Sequence, residues 1–563
     1  MTARRGILAI LLAVCALALT ACGGFPTAGP VEYGNETGAT GDESQNLEFL
    51  PNLPQPGASP AEIVEGFINA STGPGVDGDW ARAREFLAPE FRDDWKPEAS
   101  ATVDIAADRV YTESQEGTVE FSYDAVATVD DRGAYEHAEL AERNLSFSLE
   151  QQQDGEWRIT QAPDGVVLDE DQFPRVFHRY PVMYFDPTWQ YLVPDVRWFI
   201  AAKAPASITQ ALVNQPASEW LAASVVTAFP EGVTALASVP VTDGGVAQVE
   251  LSEEAAAADA EVQDRMLTQL EASLASAGVL DVEVTAGPTP LTAEPVATRS
   301  TRLPAAPLIL TEAQFGFLTG EEIDPIPGLS QAVLDSAPVA VQVAPDRDVA
   351  AGRLANGNVV RLHAESAEID LLDERAGLVD PTVDPTGTVW SVPREQPSAL
   401  RVYPRSGGMR EIEGAWPDAT AIAAMAMSRD GTRMAAAVTA GGRTVLWVAG
   451  VVRDADGSPS ALGTPVRIAI VGAPATGVTW IDDSTVGVLA AGESGATVLE
   501  QIVGGPTSST SSPDEPASIA GGNGLSSLRV RATDGTLYVK RGVTWQPTAT
   551  GVLLLATQQG APR

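Results

Sequence analysis

The sequence predicts a multidomain protein: an N-terminal α+β domain, a middle α/β domain and a C-terminal all-β propeller of five or six blades, preceded by an export segment. Three observations carry this. The chain has 563 residues, a length for about three or four domains. Its apolar periodicity changes character near residues 176 and 290, from helices followed by alternation, to mixed, to alternation throughout. Beyond residue 300 an Asp-centred turn between two apolar strands recurs five times, at Asp346, Asp384, Asp430, Asp482 and Asp534. The spacings are 38, 46, 52 and 52 residues, and a repeat of about 40–50 residues carrying several strands reads as propeller blades.

The chain opens with Arg4 and Arg5, then thirteen unbroken apolar residues from Ile7 to Leu19. A spanning helix needs about 20, so residues 1–21 read as a cleavable signal. Leu19-Thr20-Ala21-Cys22 then resembles the lipobox of bacterial lipoproteins. In that family the cysteine sulfur receives diacylglycerol, the chain is cut just before it, and the new amino group is often acylated. The resemblance implies that Cys22 is the S-diacylglycerol and N-acyl lipidation site, with Leu19, Thr20 and Ala21 completing the signal. It places the mature chain on the cell membrane, lipid-anchored at the extracytoplasmic face. An ordinary signal peptide with a chance cysteine is the alternative. Arg4-Arg5-Gly6-Ile7-Leu8 loosely fits a twin-arginine signal, but the general secretory route is the stronger reading.

Cys15 lies in the signal and Cys22 is the expected anchor, and the chain has two cysteines. Thiol catalysis, cysteine–zinc sites and iron–sulfur clusters are therefore excluded from the mature chain. The net charge is −40, and loss of Arg4 and Arg5 with the signal takes the mature chain to −42. Such acidity opposes binding to nucleic acid or bare anionic lipid. Of 35 basic residues three are lysine, Lys96, Lys203 and Lys540. Heavy arginine use with abundant Ala, Val and Asp fits a G+C-rich bacterial genome such as an actinomycete's; salt adaptation is a rival source of the acidity.

Residues 22–56 are rich in Gly, Pro, Glu and Asn and read as a flexible linker with a root-mean-square span of about 30–35 Å. The first domain, 57–175, begins at Ser59-Pro60-Ala61-Glu62, a capping box with proline at the first helical position. Ile63, Val64, Phe67 and Ile68 form one apolar face, and a second helix is expected near Asp79, with Phe86 and Leu87 inward. Strands follow at Val110–Thr112, Thr118–Val129, Leu145–Leu149 and Trp157–Ile159. Helices followed by a curved sheet resemble the cone-shaped fold of nuclear-transport-factor-like domains; a generic α+β domain fits equally.

The middle domain, 176–290, has a short strand at Tyr184-Phe185-Asp186, then Leu192-Val193-Pro194. A helix ends near Gln215-Pro216 and another runs from Ser218 to Phe229. A turn at Gly244-Gly245 enters a strand to Ser252. Ala260–Ala277 is an amphipathic helix, with Val262, Met266, Leu270 and Leu274 in one stripe and Gly278 as its cap. Val282-Glu283-Val284 closes the layer. In the propeller, 291–563, a strand at about 306–318 completes or adds a blade, and 504–524 reads as a low-complexity loop. Two serial β-sandwiches are the alternative.

Together these features resemble the actinobacterial LpqB lipoproteins over essentially the whole chain. The middle segment resembles a GerMN domain through Tyr184-Phe185, Leu192-Val193-Pro194 with Arg197, and Asp243-Gly244-Gly245-Val246-Ala247 leading to Leu251-Ser252. One departure is Gln215 before Pro216, where that family has a glycine, which puts the local helix cap in doubt. The resemblance implies a partner, the extracytoplasmic domain of an MtrB-like sensor kinase of the MtrA–MtrB two-component system. It also implies a role in envelope homeostasis and cell division.

Catalytic chemistry is not evident. His137, His178 and His363 are scattered without metal-ligand spacing, and there is no GxSxG, SxxK or GKS/GKT motif. Gly521-Gly522-Asn523-Gly524 reads as loop, and Asp454-Ala455-Asp456-Gly457 as a hairpin turn lacking the later ligand of a calcium loop. No cofactor, metal or nucleic acid is expected, and the chain reads as a non-enzymatic binder of a membrane partner. The alternative is a wall-carbohydrate binder or hydrolase using paired acids at the propeller mouth.

Overall fold

Each domain is built from the local signals just described, and the computed structural model describes residues 51–138, 141–366, 369–492 and 495–562. The signal, Leu19, Thr20, Ala21, Cys22 and the linker as far as residue 50 lie outside the described residues.

In the first domain the capping box forms as the sequence demands. The Ser59 N–H donates to the Glu62 carboxylate at 2.8 Å, and the Glu62 N–H donates to Ser59 Oγ at 3.4 Å. These bonds start α1 (Pro60–Ala70), whose Ile63, Val64, Phe67 and Ile68 are buried. The second helix is a single turn, Ala81–Arg84, entered through Trp80 at φ 53° with its indole donating to the Ser71 carbonyl at 3.0 Å. The strands are β1 (Ser100–Asp104), β2 (Val110–Gln115), β3 (Thr118–Asp130), β4 (Tyr135–His137), β5 (Glu142–Gln151), β6 (Trp157–Gln161) and β7 (Val166–Asp169). β3 alternates buried and half-exposed along nearly its whole length, as a strand with one covered face must. The sheet runs β6-β5-β3-β1-β7, with β2 and β4 also on β3, and α1 packs against β2, β3, β6 and β7.

The middle domain contains the hairpin β8 (Phe177–Phe185) and β9 (Leu192–Ile200), α2 (Ala204–Val213), β10 (Val246–Leu251), α3 (Ala260–Leu274), β11 (Asp281–Ala286) and β12 (Thr289–Pro290). β10 and β11 pair in parallel. Gly278 caps the 3₁₀ turn after α3 at φ 78°, a conformation that favours glycine. The helix expected over Ser218–Phe229 is shorter, Glu219–Ala222. Beyond it Val225, Val226 and Thr227 are β-branched, and Val226 exchanges both backbone hydrogen bonds with Phe185, at 2.8 and 2.9 Å. The Gln215-Pro216 departure costs α2 nothing: its cap, Asn214, is right-handed at φ −98°, so no glycine is required.

The all-β region is a propeller of six blades, each written from the axis outward. Blade 1 holds Ala340–Val343, Val349–Arg353, Val359–His363 and Ile369–Asp373. Blade 2 holds Thr382–Val383, Val389–Ser391, Arg401–Tyr403 and Arg410–Glu411. Blade 3 holds Ala419–Met427, Arg433–Ala440, Arg443–Arg453 and, both on that third strand, Pro459–Leu462 and Val466–Ile470. Blade 4 holds Ala475–Trp480, Thr485–Gly492, Gly495–Ile502 and Thr507–Ser511, and blade 5 holds Pro516–Ala520, Arg529–Ala532, Leu537–Arg541 and Thr544–Ala549. Blade 6 joins the two ends of the region. Its innermost strand is Leu554–Gln558, and Leu308–Leu310, Phe315–Thr319 and Glu322–Pro325 lie outside it. The expected strand at 306–318 is thus two strands of this closing blade. Helix α4 (Leu329–Ser336), not anticipated, crosses from blade 6 to blade 1 on buried Leu329 and Val333.

Two expectations are corrected. Residues 504–524 are not a loop insertion: they contain the outermost strand of blade 4 and the innermost of blade 5, polar on the surface side and pinned by ladder hydrogen bonds. Asp534 does not occupy the place of the other four turn aspartates. Asp346, Asp384, Asp430 and Asp482 sit between the first and second strands of blades 1–4, whereas Asp534 sits between the second and third strands of blade 5. The shared chemistry explains the mimicry: Asp384, Asp430, Asp482 and Asp534 each accept the N–H two residues on, at 2.8–2.9 Å, a turn that any hairpin can use. Asp454 to Gly457 is a hairpin turn, closed by Gly457 N–H to the Asp454 carbonyl at 2.9 Å.

Candidate functional site

The residues that could carry chemistry are not brought together. His178 is exposed, His363 faces Asp370 at 2.9 Å in blade 1, and His137 is 3.4 Å from Gln501 of blade 4. Among the described residues no group of three or more His, Cys, Asp and Glu is placed to hold a metal.

Just beyond the innermost strand of blade 6, Gln559 reaches across to blades 1 and 3. Gln559, 1% exposed, donates to the Ser428 carbonyl at 2.6 Å. Its Oε1 accepts from Gln342 at 3.1 Å, and its N–H donates to the Val343 carbonyl at 2.9 Å. Gln342 in turn accepts from Thr382 Oγ1 at 2.7 Å and from the Val383 N–H at 2.6 Å. One glutamine pair therefore ties blades 1, 2 and 3 across the centre with neutral amides and hydroxyls. Beside it a cavity of about 30 Å³, bounded by Phe317, Gly521, Arg529 and Gln558, has room for about one or two waters. Saccharide-sized pockets run to several hundred Å³.

The most developed polar constructions lie instead where the domains meet. β9 is the common wall: Val196, Trp198 and Ile200 belong to the core of the first domain, Val193 and Phe199 to that of the middle domain. Its nearly continuous burial is that of a strand covered on both faces. Within β9, Arg197 pairs with Asp195 at 2.7 Å, and Asp195 also accepts the Ser218 N–H and hydroxyl at 2.8 and 2.7 Å. The Arg197 of the GerMN-like pattern thus anchors the entry to the Glu219–Ala222 turn.

Hydrogen bonds join the middle domain to the propeller at three places. The Trp198 indole donates to the Gly504 carbonyl at 2.7 Å, Arg179 reaches Thr485 Oγ1 at 3.4 Å, and Arg433 reaches the Pro194 carbonyl at 3.4 Å. Arg433 is 1% exposed, ion-paired with Asp430, and 4.8 Å from the Trp480 ring centroid. Burial alone would push the Asp430 carboxyl up. The Arg433 charge and hydrogen bond, with the Thr432 and Ser428 hydroxyls, outweigh it and hold Asp430 below the usual carboxylate range. Glycines mark the closest approaches. A Cβ on Gly450 of blade 3 would lie 2.3 Å from Ser224 Oγ, and one on Gly133 would lie 2.6 Å from the Phe199 ring.

The connecting segment 291–307 is fastened along its length. Glu294 N–H donates to Asp264 at 2.8 Å, Val296 N–H to Thr268 at 2.8 Å, and Arg299 N–H to the Gln190 carbonyl at 2.7 Å. Thr301 donates to Asp483 at 2.7 Å, and Leu303 exchanges two 2.8 Å bonds with Asn523. The arrangement is three domains packed on one another and fastened by the connecting segment.

Family models match in the order of these domains. The N-terminal domain of lipoprotein LpqB matches residues 53–174, the sporulation and spore germination domain 181–292, and the LpqB β-propeller domain 313–553. The LpqB lipoprotein of Cutibacterium acnes is 31% identical over 256 residues, covering 46% of this chain and 42% of the relative, so this alignment spans less than half of the relative's length. That of Streptomyces avermitilis is 24% identical over 590 residues, covering 94% of both chains. Among solved structures, TolB from Acinetobacter baumannii aligns with a TM-score of 0.32 at 14% identity, over 44% of this chain and 64% of that one; a likeness at that level says nothing of function. With LpqB domains on both sides of the germination-type domain and LpqB relatives aligned along its length, the chain belongs to the actinobacterial LpqB lipoprotein family.

Proposed function

We propose that this chain is a lipid-anchored extracytoplasmic lipoprotein that binds and modulates a sensor kinase of the MtrA–MtrB type, and through it envelope homeostasis and cell division, without catalysing a reaction. The observation that carries the reading is the packing of three domains against one another, with the hydrogen-bonded Gln342 and Gln559 joining inner strands of the propeller through neutral groups, a construction that favours surface recognition over turnover. Cys22 is the anchor. Diacylation supplies two chains, enough for stable attachment where a single chain gives marginal binding. Among the described residues no helix is long and apolar enough to cross a membrane. The acidity of the chain, −40 overall, favours a partner surface with compensating basic groups, so association weakens with salt.

The test uses the purified protein with the external domain of an MtrB-like kinase. Binding that falls with ionic strength and shifts the kinase's phosphorylation output supports the reading. Absence of binding refutes it, as does robust release of sugar, peptide or acyl product from wall polymers that one acidic-pair substitution abolishes. For the anchor, Cys22→Ser should move the protein from membrane to culture supernatant. Unchanged membrane fractionation with undiminished fatty-acid label would show the assignment wrong.

A further inference from the structure

Blade 5 reverses the charge of the chain. In a protein of net charge −40, residues 516–562 contain Arg529, Arg531, Lys540 and Arg541 and one carboxylate, Asp534. Lys540 is buried against Glu500 of blade 4. Asp534 lies in the turn between the second and third strands, at the opposite end of the blade from the turns 521–528 and 542–543. Those two turns are neighbours: the ladder sets Arg529 opposite Val539, and Arg541 donates to the Ser526 carbonyl at 2.7 Å. The connecting segment lies beside them. Leu303 is bonded to Asn523, and Arg529 donates to the Ala305 carbonyl at 2.7 Å and to the Ser527 carbonyl at 2.8 Å, so Arg302 joins the same surface.

Arg302 and Arg541 are exposed and Arg529 is half-buried. The carbonyls that Arg529 and Arg541 engage occupy some of their donors without cancelling their charge. Burial and the charge of Arg541 both pull the Arg529 guanidinium below its ordinary value. Two apolar side chains stand on the same turns: Val543 is 81% exposed and Leu525 45%. Scattered exposed hydrophobics are ordinary; here two share adjacent turn tips, flanked by guanidiniums. Such tips match the boundary between headgroups and acyl chains, where the apolar group enters and the cation stays level with the phosphates.

These turns lie on the propeller face that carries the other two domains, since Thr301 and Trp198 reach Asp483 and Gly504 in the corresponding turns of blade 4. The linker enters through the first of those domains, and with a span of about 30–35 Å it holds the body beside the anchoring surface. Net acidity turns the body as a whole away from anionic lipid. At physiological salt, however, charges farther than about 8 Å are screened, so the local sign selects the face that approaches.

We infer that the paired turns of blade 5, Leu525 and Val543 with Arg302, Arg529 and Arg541, form a contact surface for anionic phospholipid that orients the anchored body on its membrane. Its setting rests on the anchor reading; the contact itself is tested in a chain without acyl groups, so either can fail alone.

The experiment is flotation of the mature chain from residue 22, carrying Cys22→Ser, with vesicles of phosphatidylcholine alone or of equal parts phosphatidylcholine and phosphatidylglycerol. At about 50 mM salt the mixed vesicles should hold roughly tenfold more chain than the neutral ones, and the difference should vanish at about 0.5 M. Arg302→Gln with Arg541→Gln should remove most of that preference, and Val543→Asp should weaken binding about tenfold. Leu280, 83% exposed in the middle domain, is the control: Leu280→Asp should bind as the parent chain does. Melting curves report folding, and should Arg541→Gln destabilise the chain by freeing Ser526, Val543→Asp decides. The inference is overturned if the mixed vesicles hold no more chain than the neutral ones, if the turn substitutions leave binding unchanged, or if Leu280→Asp lowers it equally. It is also overturned if the turn substitutions abolish binding to the external kinase domain while no vesicle binds, which would make the turns a protein contact.

Discussion

Gly450 offers a direct measure of how firmly the middle domain is seated on the propeller. It lies in an ordinary strand conformation, so a side chain there meets no backbone strain; it meets the neighbouring domain. A Cβ would fall 2.3 Å from Ser224 Oγ, 3.0 Å from the Trp220 carbonyl and 3.1 Å from Ser224 Cβ. Overpacking of this kind costs about 1–3 kcal/mol. Ser224 Oγ is buried without a hydrogen-bond partner, so Ser224→Ala should be neutral or stabilising by up to about 1 kcal/mol. The same change removes the closest of the three clashes. Gly450→Ala should therefore lower stability, and Ser224→Ala should recover at least half of the loss, a coupling that a double-mutant cycle isolates. Gly463 is the control: a Cβ there is 3.4 Å from the Trp220 carbonyl, ordinary contact, and Gly463→Ala should change stability by less than about 0.5 kcal/mol. The assay is denaturant unfolding with limited proteolysis of 291–307, which should become cleavable as the seam opens. Gly450→Ala as stable as wild type, or a loss indifferent to Ser224, would refute a close-packed seam.

Further outcomes follow from other parts of the molecule. A fragment from about residue 295 should be soluble, β-rich and cooperative, and a largely helical circular-dichroism spectrum would contradict it. Ending the chain at Leu553 removes the innermost strand of blade 6 and should abolish the cooperative propeller transition in calorimetry. Asp430→Asn strands Arg433 in a buried site and should cost about 3–5 kcal/mol in denaturant unfolding. At the first-domain seam, burial lowers the His137 pKa below 6.5, opposed by a hydrogen bond to Gly505 and reinforced by the charge of Arg467. Neutral His137 thus stabilises the folded state fully above about pH 6.5. That contribution is lost as pH falls through the folded value, so His137→Gln should flatten the acid limb of the stability curve, and an unchanged limb would exclude His137 as its source.

Much of the fold is legible in the chain because it is written locally. Ser59 and Glu62 specify their own helix start, Gly278 its stop, and the stripe from Val262 to Leu274 its buried face. What escaped is written across distance. The turn Asp384-Pro-Thr and the turn Asp534-Gly-Thr look alike because both satisfy the same two-residue hydrogen bond, and their different places in a blade depend on strands elsewhere. Residues 507–511 have the composition of a linker, yet they pair with Thr497–Gln501. Val225 to Thr227 lose their helix to Phe185, forty residues upstream.

The closing blade also sets an order of events. Ile309 pairs with Leu555, roughly 250 residues later, a separation whose loop-closure entropy is about 5 kcal/mol. Synthesis runs from the N-terminus, so the first two domains and five blades emerge before the strand that finishes the ring. Until then Leu308–Leu310 has an open edge, and the glutamine that knots the centre has not been made. The circle is shut by Leu554–Gln558, and the edge of Leu308–Leu310 must wait for it.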